Sequence, residues 1–115
     1  MAVILFCDRP EELLSNIKAA VRDGTITTWQ MDTDGDFTHV PEQWKNKAWL
    51  RPVVQNGQLI FNILGQKRQK MSVAVYAVYH GRFIEMLLTH FDKMFTQSSA
   101  TARPTDGDRL GGQAA

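Results

Sequence analysis

Three groups of residues could do chemistry in this chain. Asp32-Thr-Asp-Gly-Asp36 sets carboxylates at alternate positions, as the opening of a calcium loop does. Such a loop then needs glycine at its sixth position and a bidentate glutamate at its twelfth, where this chain has Phe37 and Gln43. The run therefore reads as a turn between strands, and no metal or cofactor is assigned. The histidines are the second group. His39 follows the carboxylates closely, yet no ligand spacing joins it to them. His80 precedes Gly81 and Arg82, at the expected junction of a strand with a helix. Free N–H groups at a helix start favour anions, so His80 and Arg82 would suit a phosphate or carboxylate there. His90 falls at the margin of a helical stripe and reads as a flank residue.

The third group is cationic. Gln66-Lys67-Arg68-Gln69-Lys70 is the densest basic cluster, in an expected connection between strands. Lys45, Lys47, Arg51 and Arg82 would extend it into a basic end of the molecule, and Trp44 and Trp49 lie close to that series. Lys and Arg contact phosphates, and aromatic faces stack bases. Lys67, Arg68, Lys70, Arg51, Trp44 and Trp49 are thus the candidate binding set for a nucleic acid. An acidic protein would suit the same cations. The plainer reading is a solubilising loop whose charge offsets the carboxylates.

These charges are sorted along the chain. From Asp23 to Glu42 there are five acidic residues and no Lys or Arg; from Gln43 to Ile84 there are seven basic residues and no Asp or Glu. The formal net charge of +1 hides the sorting. It implies an acidic end and a basic end, which concerns partners more than fold. A length of 115 residues suits one domain, and a hydrophobic fraction of 43% suits a globular chain. Ala2 to Phe6 is too short for a signal peptide or a bilayer span and reads as a buried first strand. The single cysteine, Cys7, permits no internal disulfide and no cysteine-rich zinc site, which fits a cytoplasmic setting. Cys7 itself reads as a small buried hydrophobe. The sequence has no phosphate loop, dinucleotide glycine pattern, serine elbow or metalloprotease helix motif.

Regular elements must position these groups. Asp8, Pro10 and Glu11 mark a helix start, with Asp8 as the expected cap. Leu13, Leu14, Ile17, Ala20 and Val21 then share one face before Gly24. A second helix is expected after Gly81, with Phe83, Ile84, Leu87, Leu88, Phe91, Met94 and Phe95 as its apolar stripe. Strands are expected over 25–33 and 36–40 around Asp34-Gly35, over 48–55 and 58–65 around Asn56-Gly57, and over 71–79. The order is β-α-β-β-β-β-β-α. That is an α+β fold: a mainly antiparallel sheet of five to six strands with two helices packed on one face. The ordered domain spans 1–95. Residues 96–115, rich in Ser, Thr, Gly, Ala and Gln, read as a flexible tail.

A two-residue turn at Asn56-Gly57 fixes a register. Leu50, Pro52 and Val54 then oppose Ile63, Phe61 and Leu59 on the face toward the helices. The other face carries Trp49, Val53, Ile60 and Leu64, interrupted only by Arg51 and Asn62. That is more apolar than a solvated face. These four residues are the expected interface of a homodimer, with the tail or a ligand as other possible covers. Pro52 lacks a ladder donor, so its strand is expected at an edge, at least locally.

The leading expectation is a small cytoplasmic binding or accessory module without catalysis. It would act through segregated charged surfaces and self-association, with no membrane partner. An alternative from a different class is a metal-independent phosphodiester hydrolase. There His80 would be the general acid or base, Arg51 and Arg82 would stabilise phosphate charge, and Glu85 would be a second proton-transfer group. A third is small-molecule binding between sheet and helices, lined by Trp29, Phe61 and Tyr76. A hydrolase should gather His80, a carboxylate and the cations around one pocket; a binding module need not.

Overall fold

The turn at Asn56-Gly57 sets the longest ladder of the fold. Gly57 takes φ +75°, a conformation that favours glycine. On either side of it, β4 (Ala48–Gln55) and β5 (Gln58–Gly65) pair with Gln55 opposite Gln58, Val53 opposite Ile60 and Trp49 opposite Leu64. This is the register that a two-residue turn requires. Alternation then sends Leu50, Leu59, Phe61 and Ile63 to one face, where all four are fully buried.

The computed structural model describes residues 1–112. Around the central hairpin it places β1 (Val3–Phe6), β2 (Trp29–Met31), β3 (Phe37–His39) and β6 (Gln97–Ala100). The sheet order is β2-β3-β4-β5-β1-β6, and every pair of named strands is antiparallel. Helices α1 (Pro10–Arg22) and α2 (Val73–Phe91) cover one face. Leu13 and Ile17 of α1 join Tyr79, Phe83 and Leu87 of α2, and Leu5, Phe37 and Phe61 of the sheet, in a single core. The α+β class is therefore as the patterning implied. Phe83 sits at the centre of that core, edge-on to Trp29 and Phe61 at centroid distances of 4.8 and 4.7 Å.

Pro52 behaves as its chemistry requires. β3 meets β4 only where Phe37 faces Leu50, so the β3 side of β4 is open from Arg51 onward. The missing N–H of Pro52 turns toward that open side, where no ladder bond is lost. In α1 the expected cap is corrected. Arg9 takes the N-cap position without a side-chain bond, and Pro10 opens the helix, so Asp8 lies one residue too early to cap it. Gly24, at φ +84°, follows the C-cap as expected.

The largest correction concerns residues 71–79, expected as a strand. They open α2. Ser72 is the N-cap, and its Oγ accepts a bond from the Val75 N–H at 3.1 Å. Val73, Val75, Ala77 and Tyr79 do alternate as strand residues would. They also fit a helix, because Val75, Tyr79, Phe83, Leu87 and Phe91 recur every four residues and are all buried. Val73 is left 86% exposed, which a buried strand would not tolerate. Gly81 marks no break; it lies exposed within the helix.

The segment read as a flexible tail carries the sixth strand. β6 pairs along the whole of β1, from Val3 opposite Ala100 to Phe6 opposite Gln97. Its composition, Gln-Ser-Ser-Ala, has no apolar area to offer. What it offers is backbone: Val3 and Leu5 are fully buried, and the N–H and C=O groups on that edge of β1 need partners. Beyond β6 the chain returns along β5. The Asp108 side chain, 0% exposed, accepts bonds from the N–H groups of Ile63 (3.0 Å) and Thr105 (2.8 Å) and pairs with the Met1 ammonium at 2.9 Å. Arg109 N–H donates to Ile63 O, Gly65 N–H to Arg109 O, and Met71 N–H to Leu110 O. Residues 113–115 of the expected tail lie outside the described residues.

Candidate functional site

The strands bring the two sorted charge groups face to face. Asp32 heads the turn between β2 and β3. Its Oδ1 accepts from the N–H groups of Asp34 and Asp36, both at 2.9 Å, and Gly35 takes φ +84°. The run is thus a turn, as expected. Asp32, Asp34 and Asp36 hold their carboxylate oxygens within 4.8 Å of one another. Asp36 is committed elsewhere: Arg51 of β4 grips it in a bidentate pair, Nε to Oδ1 at 3.0 Å and a terminal nitrogen to Oδ2 at 2.8 Å. That bond holds the Arg51 guanidinium pKa above its usual value. The acidic and basic stretches are therefore adjoining, and the picture of an acidic end and a basic end is corrected.

They flank a cleft of about 790 Å³. Trp49 and Leu64, an opposed pair on the outer face of β4 and β5, contribute to its lining. Asp32 and Asp34 line it together with Arg51. Lys67 and Arg68 enter from the loop after β5, and Arg109 from the returning C-terminal segment. Of the expected binding set, Trp49, Arg51, Lys67 and Arg68 meet here. Arg109 was missed, because nothing in the composition of the tail shows that it returns to the sheet. Lys70 is exposed at the far end of the loop, and Trp44 lines a different cleft.

That second cleft, about 400 Å³, gathers His39, Trp29, Trp44, Arg82, Glu85 and His90. Arg82 and Glu85 form an exposed helical pair at 3.3 Å. His39 is buried, and its Nδ1 lies 2.8 Å from Thr28 O. A carbonyl only accepts, so Nδ1 carries the proton in the neutral ring. His80 is elsewhere again, in the third turn of α2 and not at a helix start. Its Nδ1 lies 2.6 Å from Tyr76 O, its Nε2 is sealed without a partner, and its ring stacks on Tyr76 at 4.0 Å. The four residues of the hydrolase reading are thus dispersed: His80 in the interior, Arg51 on Asp36, and Arg82 with Glu85 at the second cleft. Trp29 and Phe61 are closed around Phe83, while Tyr76 bonds Thr101, so the three do not line a common cavity.

Burial lowers the pKa values of both His39 and His80, and burial likewise raises that of the Cys7 thiol, which is a poor nucleophile as a result. A histidine whose folded pKa lies below its unfolded value binds its proton more readily when unfolded. Stability is then complete above about pH 6.5 and is lost as pH falls through that value toward the folded pKa values, by at most about 1.4 kcal/mol per histidine per pH unit. Melting temperature should therefore fall between pH 7.5 and 5. His80→Leu should flatten part of that fall; an unchanged slope would show that other groups cause it.

The outer sheet face is smaller than its sequence suggests. Ile60 and Leu64 are buried within the chain, although neither belongs to the core under the helices. The C-terminal segment supplies part of the cover: a side chain at Gly107 would fall 2.7 Å from Asn62 Nδ2. Of the four expected interface residues, Trp49 is partly exposed and Val53 is 36% exposed. No helix among the described residues is long and apolar enough to cross a membrane. Comparison with protein-family models, curated proteins and solved structures finds no match to this chain.

Proposed function

We propose that this chain is a non-catalytic binding module that takes single-stranded nucleic acid in the Trp49 cleft. One observation carries the reading: Trp49 lines the same cleft as Lys67, Arg68 and Arg109. A base can stack on the indole while the cations contact flanking phosphates. Arg51 contributes less, because Asp36 already holds its guanidinium. Asp32 and Asp34 oppose phosphate charge, so the affinity expected is modest and strongly salt-dependent. An acidic protein would find the same cations but would not need Trp49. The dispersal of His80, Arg51, Arg82 and Glu85 favours binding over phosphodiester hydrolysis.

Anisotropy of labelled homopolymeric oligonucleotides at low ionic strength tests this. Binding should weaken as salt rises, with a slope near −0.7 per phosphate contacted. Lys67→Gln with Arg68→Gln should weaken it about tenfold, and Asp34→Asn should tighten it severalfold by removing a repelling charge. Trp49→Ala should cost roughly 1–3 kcal/mol of binding. Failure of every homopolymer to bind would end the reading. Self-association is its weaker element, supported by Val53 and Val54 exposed beside the open edge of β4. Sedimentation of the same free protein at micromolar concentration settles that element, and a monomer removes it.

A further inference from the structure

Resting on the nucleic-acid reading, we propose that residues 109–112 are a working wall of the site. Arg109 contacts the nucleic-acid backbone, and Gly111 holds the cationic loop 66–70 in its binding shape. The Gln66 side chain donates to Asn46 O at 3.0 Å, and the C-terminal segment supplies the backbone bonds that hold the loop. Gly65 N–H donates to Arg109 O at 2.7 Å where the loop begins, and Met71 N–H donates to Leu110 O at 2.8 Å where it ends. Between them Gly112 N–H donates to Gln66 O at 3.2 Å. The segment thus pins both ends of the stretch that carries Lys67 and Arg68.

The glycines show how close the two backbones run. Gly111, at φ +79°, has no room for a side chain, because a Cβ there would collide with Gln66 O and come within 2.9 Å of Gln69 O. At Gly112 a Cβ would fall 2.6 Å from Lys70 N. A loop held by such contacts has less conformational freedom to lose when a ligand binds. Arg109 is exposed and lines the same cleft as Lys67 and Arg68, which adds a cation with no ion-pair partner among the described residues. The wall therefore acts in two ways, by charge through Arg109 and by shape through Gly111.

Full-length variants separate the two. The probe is a labelled single-stranded thymidine homopolymer at low salt, with amide hydrogen exchange read in parallel. Arg109→Gln should leave the Gly65 and Met71 amides protected, weaken binding about three- to tenfold, and reduce the salt slope by about 0.7; Arg109→Lys should restore most of both. Gly111→Ala should expose the Met71 amide and weaken binding about tenfold while the core amides of β1 and α2 stay protected. If the unmutated chain binds and both variants bind as well as it does, this inference falls and the nucleic-acid reading stands. If Gly111→Ala exposes Met71 without weakening binding, the shaping role falls. If the unmutated chain binds no oligonucleotide, both fall together.

Discussion

A chain truncated after Thr96 should melt on the order of 15 °C or more below the full chain, or fail to fold. Composition alone predicts no change, since residues 97–112 contain a single large apolar residue, Leu110. The structure reverses the expectation through backbone groups. Removing β6 strips the partners from one whole edge of β1, whose Val3 and Leu5 are fully buried. Each buried N–H or C=O left unpaired costs roughly 1–3 kcal/mol. Losing Asp108 orphans the Ile63 N–H, and losing Leu110 uncovers one flank of the core. Even after water reclaims part of the edge, a loss near 4 kcal/mol remains, and 1 kcal/mol moves the midpoint of a domain this size by about 4 °C. Thermal unfolding followed by circular dichroism measures it. A midpoint within a few degrees of the full chain would show that β6 and the returning segment are not docked in solution.

The same contrast explains what the sequence revealed and what it hid. The central hairpin was legible down to its residue pairs, because Asn56-Gly57 dictates both turn and register and the apolar alternation agrees with it. Features resting on one local signal fared worse. Val73 to Tyr79 fits a strand period and a helix period alike. The deciding residue was Ser72, whose hydroxyl caps α2, and Gly81 drew the boundary to the wrong place. His80 moved with that boundary, from a helix start open to anions into a sealed third turn. β6 and Arg109 were hidden for a different reason. A polar strand placed by the unmet hydrogen bonds of its neighbour leaves no apolar pattern to find.

The candidate cleft was half legible in the same sense. Trp49, Arg51, Lys67 and Arg68 were marked by residue type, and the hairpin register put Trp49 and Arg51 on the outer face together. The charge sorting was a true signal with a mistaken meaning. Acidic residues collect around the turn between β2 and β3, and basic residues just before, on and after β4. Because β3 and β4 are neighbours in the sheet, separation along the chain becomes opposition across a cleft.

Arg51→Met should make that opposition measurable. The Asp36 side chain is 4% exposed, and its two oxygens take both guanidinium bonds from Arg51, which is itself 44% exposed. Removing the cation leaves a nearly sealed carboxylate, within 4.8 Å of carboxylate oxygens of Asp32 and Asp34, with no positive partner among the described residues. A fully buried pair broken in this way costs about 3–5 kcal/mol; with one partner at the surface, roughly 2–3 kcal/mol is expected. Asp36→Asn in the same background should recover most of the loss, since a neutral amide is far cheaper to bury than a lone charge. Arg51 holds the carboxylate turn against β4, so Arg51→Met should also loosen the acidic wall of the cleft. Asp34→Asn should then tighten oligonucleotide binding less than it does in the unmutated chain. Urea unfolding of the single and double variants supplies the stability cycle. If Arg51→Met unfolds at the same midpoint as the full chain, Asp36 is solvated in solution and the two walls are not joined by this pair.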